Sequence, residues 1–395
     1  MTRLRAWTTL LLVSTLFFLV TAATFNALGP ARGDMVGELH WSGSEFGTGF
    51  SLLGVFCGIT ATIPALLIRR IGLRFTLALG GVVMAAAFAC LATTHGVMLY
   101  FAGCSLAGLG FTLLATVPAT YLLARNFVRP GFIFGLYFTL GQGGAVAGPL
   151  LYLWIAGTSG WRMVWIVSGV ASLVTALLAA LLVDTRADVA AHAEQDPEIT
   201  RESWTVKSAL RTPQFMVLAA AYSVFLFVDI TVNAFSIPHL MGHGVEEGVA
   251  IGLLSLGALI NAGGRLGGGL LSRVMDARPL LAFALLLLAG GLLALCLGSG
   301  PPMLLAYAAG IGFGSGLTFF ASTILLLDYF GRKPNLELFA AVNLISTVGS
   351  IGPAFAGFVS DRTHSFLPVF LILAALVAII FVAVLRMKPP QRATT

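Results

Sequence analysis

The chain has 395 residues, of which 58% are hydrophobic and only 10% charged, and its mean hydropathy is +0.96. A water-soluble globular protein could not carry this composition without large exposed apolar patches, so that class is excluded. The formal net charge of +6 needs no nucleic acid to explain it, because contact of basic residues with an anionic inner leaflet accounts for it.

Apolar runs of about 20 residues, bounded by charged or turn residues, predict helices that span a membrane. Helices are expected because backbone polar groups that face lipid must be satisfied within their own segment. The chain contains twelve such runs, at residues 6–29, 43–68, 75–94, 98–123, 132–156, 161–183, 214–238, 250–272, 279–298, 302–327, 337–359 and 366–386. The predicted fold class is therefore an all-α membrane protein with twelve transmembrane helices.

The distribution of Lys and Arg predicts the orientation of these spans. If both termini are cytoplasmic, 18 of the 22 basic residues lie inside and three lie outside, namely Arg32, Arg162 and Arg362. Short loops rich in Lys and Arg stay on the cytoplasmic side of a membrane. We therefore expect an integral protein of a plasma membrane of the bacterial inner-membrane type, with both termini in the cytoplasm.

Sequence motifs in the first half recur in the second half at a nearly constant distance of 202 to 207 residues. The four pairs are Thr24–Pro30 with Thr231–Pro238, Leu66–Arg74 with Leu270–Arg278, Ala107–Phe111 with Ala309–Phe313, and Gly148-Pro149 with Gly352-Pro353. Four ordered matches indicate an internal repeat. They predict two pseudo-symmetric six-helix bundles, at residues 1–183 and 214–395, joined by a cytoplasmic linker at 184–213 that contains an interfacial helix.

Two parallel six-helix halves resemble the major facilitator superfamily, whose substrate sites lie near the membrane midplane. The run Arg69–Arg74 lies where that family has its motif between helices 2 and 3, and the resemblance implies a gating role for Arg70, Gly72 and Arg74. Arg69 replaces the usual acid, and Ala65 replaces the first glycine. This variant is similar to the monocarboxylate transporter branch, which also has an intramembrane Arg in helix 8.

Arg265 matches that arginine and lies inside an apolar, glycine-rich span with no acid within ten positions on either side. A charge in such a span is costly, and it usually marks a polar pathway through the membrane. A guanidinium also offers a carboxylate two parallel donors, which an ammonium does not. We expect Arg265 to bind the carboxylate of a small anion, the alternative being a structural role in which it snorkels or binds backbone carbonyls.

Asp229 is the one acid clearly inside a predicted span, and Asn233 lies one helical turn away on the same face. We predict that Asp229 carries the coupled proton, the alternative being a static hydrogen bond or a charge pair with Arg265. Helix lengths place the two residues at depths that differ by about 10 Å, which argues against a direct pair. Monocarboxylate transporters usually have an Asp one turn before the helix 8 Arg, but this chain has Asn261 there.

Polar and apolar residues elsewhere complete a predicted substrate site. The candidates are Asn26, Leu28, Tyr121, Gln142, Asn233, Phe319 and Asn343. Asn26 and Asn233 occupy matching repeat positions, and Gly29-Pro30 and Pro238 predict a chain break after each. Each candidate has helix packing as its alternative role, because an Asn can also tie two helices together.

The run from Gly141 to Pro149 resembles the helix 5 signature of the superfamily, and a counterpart ends at Gly352-Pro353. Because both halves contain this pattern, we assign Gly148, Pro149, Gly352 and Pro353 to close helix packing at the rocking interface. The glycines around Arg265 do not form a phosphate loop, since no strand precedes them and no GK[ST] follows. No cofactor, metal or nucleotide is expected.

Together these features predict a secondary carrier, not an enzyme, that moves a small monocarboxylate such as L-lactate or pyruvate with a proton by alternating access. The expected partners are the organic anion, protons and membrane lipid, and the expected functional state is a monomer. An organic anion exchanger of the oxalate–formate type is the nearest alternative, although a dianion would favour a second buried cation and helix 11 contains none. If the protein were a non-transporting receptor, Arg265 should be dispensable. A cation or drug exporter would need more intramembrane acids than Asp229 alone. A membrane enzyme would need a catalytic cluster.

Overall fold

The computed structural model of the chain describes residues 3–115, 118–119, 121–123, 130–182, 204–272, 274–298, 300–331 and 335–390. Within those ranges the regular structure is helical and contains no strand. The helices are α1 (Arg3–Ala23), α2 (Phe25–Leu39), α3 (Gly43–Ile59), α4 (Ile63–Ile71), α5 (Leu73–Ala92), α6 (Val97–Leu114), α7 (Pro130–Ser159), α8 (Trp161–Leu182), α9 (Val206–Leu210), α10 (Pro213–Gly242), α11 (Glu247–Leu271), α12 (Ala277–Leu297), α13 (Pro301–Phe330), α14 (Asn335–Ser346), a 3₁₀ helix (Thr347–Ile351), α15 (Gly352–Thr363) and α16 (Leu367–Arg386).

Ten helical segments of the described residues are long and apolar enough to cross a membrane. The helices α3 and α4 together form an eleventh, bent by 53° at a short break. The 30-residue helix α7 lies where the fifth span is predicted. A helix therefore lies at the position of each of the twelve predicted spans, and the prediction of an all-α membrane fold is confirmed.

The first span, predicted at residues 6–29, differs from the structure in the position of its break and in where its outer end lies. The prediction placed a break at Gly29-Pro30, whereas α1 ends at Ala23 and α2 continues through Pro30 to Leu39. The side-chain amide of Asn26 donates to the backbone carbonyl of Thr21 at 2.9 Å, next to this break. A carbonyl near a helix end needs such a partner. Asn26 therefore caps the end of α1.

Two further predictions about helix continuity were wrong. Pro238 does not end the seventh span, because it lies inside the continuous helix α10. Membrane helices tolerate proline when neighbouring groups satisfy the freed carbonyl. The eleventh span was predicted as one helix, but the 3₁₀ turn Thr347–Ile351 separates α14 from α15. Ser346 and Thr347 both donate to the carbonyl of Asn343 there, so side chains replace helical hydrogen bonds at the break.

Contacts group the helices into two compact units. The first comprises Met1–Glu194 and Pro353–Asp361, and the second comprises Gln195–Gly352 and Arg362–Thr395. In the first unit α1 packs on α7, and α5 packs on α6 and α8; in the second unit α13 packs on α11 and α12. The two units are defined by contacts between helices, and they do not test where the predicted domains begin and end. The domain boundaries at 183 and 214 therefore stay a prediction. Most of the linker lies outside the described residues, which include its short helix α9.

Glycines bring α12 and α13 into backbone contact in the second unit. A Cβ atom at Gly291 would lie 2.5 Å from the backbone nitrogen of Ile311, whereas one at Gly290 would meet no atom within 4 Å. We expect Gly291→Ala to force the two helices apart and to lower the free energy of unfolding by about 1–3 kcal/mol. Gly290→Ala is the matched control and should cause no loss. Thermal unfolding of both variants in detergent measures this, and equal melting temperatures would contradict the close contact.

Candidate functional site

Arg265 is held in a defined orientation by two side chains of the second unit. Its Nε donates to Oδ1 of Asn261 at 3.0 Å, one turn earlier in α11. Its Cζ lies 4.2 Å from the centroid of the Phe319 ring in α13. A guanidinium over an aromatic face is attracted by the ring electrons. The side chain is half-buried, so an anchored cation retains some accessible surface.

Small residues allow α11 and α13 to approach closely enough for this contact. A Cβ atom at Gly316 would lie 2.3 Å from the backbone oxygen of Asn261, and one at Gly312 would lie 2.6 Å from that of Gly257. Real side chains do not fit at such distances. These glycines bring the backbones together, and Phe319 then reaches the arginine on the facing helix.

Asp229 lies within electrostatic range of Arg265, although the helix lengths argue against a direct pair. The carboxylate attracts the guanidinium, and the phenol of Tyr222 interacts with both charges. Tyr222 and Asp229 are seven residues apart in α10, so they share one helix face. The long side chain of Arg265 reduces the separation that the backbone depths imply. Asp229, Asn261 and Arg265 are all half-buried rather than fully enclosed.

The predicted amides of the second unit bind the backbone of their own helices. The Asn233 amide donates to the carbonyl of Asp229 at 2.9 Å, and the Asn343 amide donates to that of Phe339 at 2.8 Å. Both side chains are half-buried. Each amide retains its side-chain oxygen as a possible acceptor. Asn233 therefore lies beside the acid, as its spacing predicts.

The remaining predicted site residues belong to the first unit. Leu28 is fully buried, Tyr121 is 41% exposed and Gln142 is half-buried. Asn26 is buried and is engaged in the cap described above. The structure therefore brings together Arg265, Asp229 and Phe319, and it places Asn233 one turn from Asp229 in α10. The predicted substrate-binding residues and the proton-coupling role of Asp229 stay a prediction.

The four motif residues of the helix 5 and helix 11 signatures are buried. A Cβ atom at Gly148 would lie 2.6 Å from the backbone oxygen of Ala22, so α7 meets the end of α1 there. A Cβ atom at Gly352 would lie 2.2 Å from the hydroxyl oxygen of Thr231 in α10. Pro149 lies inside α7, and Pro353 begins the part of α15 that groups with the first unit. Both glycines therefore provide close packing.

The predicted gating motif lies at the turn between α4 and α5. Gly72 has a φ of +85°, a left-handed conformation that glycine adopts without strain. Arg70 lies in the last turn of α4 and Arg74 in the first turn of α5, and both side chains are exposed. The glycine is therefore required by the turn itself, and the gating role of the arginines stays a prediction.

A family model of the major facilitator superfamily matches residues 12–350 and 266–395. The chain belongs to the major facilitator superfamily. It is 26% identical to the uncharacterized transporter YycB of Bacillus subtilis (strain 168) over 381 residues, or 91% of each chain. It is also 27% identical to human monocarboxylate transporter 6 over 400 residues, covering 92% of this chain and 77% of that protein.

Solved structures agree with this membership at the level of the fold. A bacterial homologue of the human lysosomal transporter Spinster, in its inward-facing and occupied conformation, has a TM-score of 0.81 and 14% identity, covering 98% of this chain and 97% of that one. The nucleoside transporter NupG has a TM-score of 0.74 and 14% identity, covering 96% of this chain and 100% of its own. Because the family model and both sequence relatives describe transporters, this member of the major facilitator superfamily is a membrane transporter.

Sequence reasoning missed one contact of this superfamily member completely. The Asp361 carboxylate in α15 accepts hydrogen bonds from the backbone nitrogens of Gly43 and Ser44, at 2.8 and 2.9 Å, and from the Ser44 hydroxyl. Ser42 and Glu45 cap the same helix start from within α3. A carboxylate at a helix N-terminus is stabilised by the helix dipole. The local signal was an unexplained acid in the last turn of α15, but 318 residues separate it from Gly43.

Proposed function

We propose that the protein is a secondary active transporter of small monocarboxylates, such as L-lactate or pyruvate, coupled to protons and working by alternating access. One observation carries the proposal: Arg265 is anchored by Asn261 and Phe319 beside the acid Asp229. A fixed guanidinium suits a carboxylate, and a nearby acid suits a proton. Similarity to a human protein named as a monocarboxylate transporter supports the substrate class.

The arrangement gives each residue of the pair a distinct task. Arg265 receives the carboxylate of the anion, and Asp229 takes up the proton, so that the occupied site has no net gain of charge. Moving an unpaired charge through an apolar environment is costly. A site with only one of its two ligands therefore resists the change between outward and inward access, and this resistance couples the two fluxes.

The proposed setting is the plasma membrane, of the bacterial inner-membrane type, with both termini in the cytoplasm. The excess of Lys and Arg on one side of the predicted spans supports this orientation. Function as a monomer is part of the same proposal.

Uptake of radiolabelled L-lactate into proteoliposomes tests the proposal. We expect an inward proton gradient to drive accumulation above the external concentration, and a protonophore to abolish it. Counterflow against internal unlabelled L-lactate should proceed without a gradient, because exchange needs no net proton movement. Accumulation driven by internal oxalate but not by the proton gradient would contradict symport and favour the anion exchanger. Liposomes without protein provide the background.

A further inference from the structure

Three side-chain hydroxyl groups lie along one face of α13, starting near Asp229 and continuing toward the C-terminal end of the helix. They belong to Ser315, Thr318 and Ser322, and we call them the hydroxyl seam. Steps of three and four residues place them on the same side of the helix. All three residues are buried, and none of their oxygens has a hydrogen-bond partner among the described residues. Buried hydroxyls normally have a partner, so this row points to an additional one, such as water.

One end of the hydroxyl seam lies at the proposed proton carrier. The Ser315 hydroxyl is close enough to the Asp229 carboxyl to interact with it, but the two do not meet the geometry of a full hydrogen bond. The same carboxyl faces Arg265 from α11, Tyr307 from α13 and Tyr222 from its own helix. Of these groups, Ser315 is the one that continues into a row of hydroxyls.

The other end of the hydroxyl seam opens into a cavity. Ser322 lines it together with Tyr222, Thr323, Leu218 and Phe339. The cavity has a volume of about 10 Å³, close to the smallest space that holds one water molecule. Ser322, Thr323 and Tyr222 are the polar residues among those that line it.

The two ends are linked by the packing of α10 on α13. Ser315 and Ser322 are seven residues apart, which is about 10 Å along a helix, and Asp229 and Tyr222 have the same separation in α10. The Tyr222 ring lies 6.0 Å from that of Phe319, between the two levels. Ser315 therefore lies at the level of Asp229, and Ser322 lies two turns away at the level where Tyr222 also lines the cavity.

We propose that the hydroxyl seam holds water and conducts the proton between Asp229 and the cavity at Ser322. The inference rests on the proposed proton symport and specifies a route for its proton. A hydroxyl both donates and accepts, so each group can pass a proton on while it receives another. Each hydroxyl or water oxygen along the seam loses one O–H bond as it gains another, and the last transfer forms an O–H bond on the Asp229 carboxylate, so the net change is protonation of Asp229. The anion site proposed at Arg265 uses the guanidinium of α11, which is not part of the hydroxyl seam.

A labelling experiment tests whether water enters the seam, and it needs no substrate. Cys57, Cys90, Cys104 and Cys296 are replaced by Ala, and single cysteines are introduced as Thr318→Cys and Ser322→Cys. We expect 2-aminoethyl methanethiosulfonate, a small water-soluble thiol reagent, to modify both. Ser172→Cys is the matched control, because Ser172 is also buried, lacks a partner among the described residues and lies in the first unit. Protection of the seam cysteines equal to that of the control would overturn the water path.

A transport experiment tests the proton role of the same residues. Thr318→Val keeps the side-chain volume and removes the hydroxyl, and Ser172→Ala serves as its control. We expect Thr318→Val to slow proton-driven L-lactate accumulation by about tenfold or more, since proton transfer depends on a positioned group. Lactate counterflow should change by less than about twofold, because exchange releases no proton.

The two measurements separate the possible failures. Proportional losses of accumulation and counterflow in Thr318→Val would indicate a structural defect and overturn the inference, as would unchanged accumulation. If the unmodified protein shows no proton-driven accumulation, the proposed symport fails, and the proton role of the seam fails with it. Labelled cysteines at positions 318 and 322 would then identify a water path only.

Discussion

Replacing Arg265 with lysine is expected to weaken L-lactate binding by about tenfold to a hundredfold, which corresponds to the loss of one charge-assisted hydrogen bond of about 1.5–3 kcal/mol. Lysine keeps the positive charge but cannot present two parallel donors to a carboxylate. It also loses the hydrogen bond to Asn261 and the planar contact with Phe319. The concentration dependence of lactate counterflow in proteoliposomes measures the change in affinity.

Two further variants distinguish a role of Arg265 in lactate binding from a general effect of substituting an arginine. Arg211→Lys is the control, since this arginine is exposed just after α9 and lies 54 residues before Arg265 in the chain. Asn261→Ala leaves the guanidinium in place but removes its anchor, so we expect a smaller loss than in Arg265→Lys. Near-normal lactate affinity in Arg265→Lys would remove this arginine from the centre of the site. It would leave the residue with a structural role between α11 and α13.

The helical fold, and the presence of Arg265 and Asp229 inside membrane spans, could be predicted because both depend on local composition. Hydropathy runs show where helices must lie, and a single Arg or Asp inside such a run is conspicuous. The exact breaks were not predictable in the same way. The break at Thr24 depends on the Asn26 side chain, and the break after Ser346 depends on hydroxyls that bind the Asn343 carbonyl. The breaks predicted from Pro30 and Pro238 were wrong, because both prolines lie inside helices.

The arrangement around the charges required three-dimensional information. Helix lengths indicated that Asp229 and Arg265 lie at different depths, but they carried no information about the reach of the arginine side chain. Ser315, Thr318 and Ser322 form a polar stripe that is visible in the sequence, yet the stripe does not reveal which helix it faces. In the structure the Ser315 hydroxyl lies close enough to Asp229 of α10 to interact with it, so this end of the stripe faces α10.

Replacing Asp229 with asparagine is expected to abolish proton-driven accumulation of L-lactate while lactate counterflow continues. Asparagine has nearly the same shape but cannot take up a proton, so the coupled step loses its carrier. In the unmodified protein, a rise in pH leaves Asp229 ionised, and its negative charge next to Arg265 repels the incoming anion. Lactate affinity should therefore fall as pH rises, and this dependence should be flattened in Asp229→Asn. Gradient-driven uptake and counterflow, each measured across a pH series, report the two effects.

Asp328→Asn provides the control, because Asp328 is an exposed acid near the end of α13, 13 residues beyond Ser315. It should retain both accumulation and the pH dependence of affinity. Loss of counterflow as well as accumulation in Asp229→Asn would assign this acid to the integrity of the anion site, since Arg265 would have lost its charged neighbour. Accumulation that persists unchanged would rule out Asp229 as the proton carrier. The coupling group would then lie elsewhere in the cluster, and the hydroxyl seam would no longer end at it.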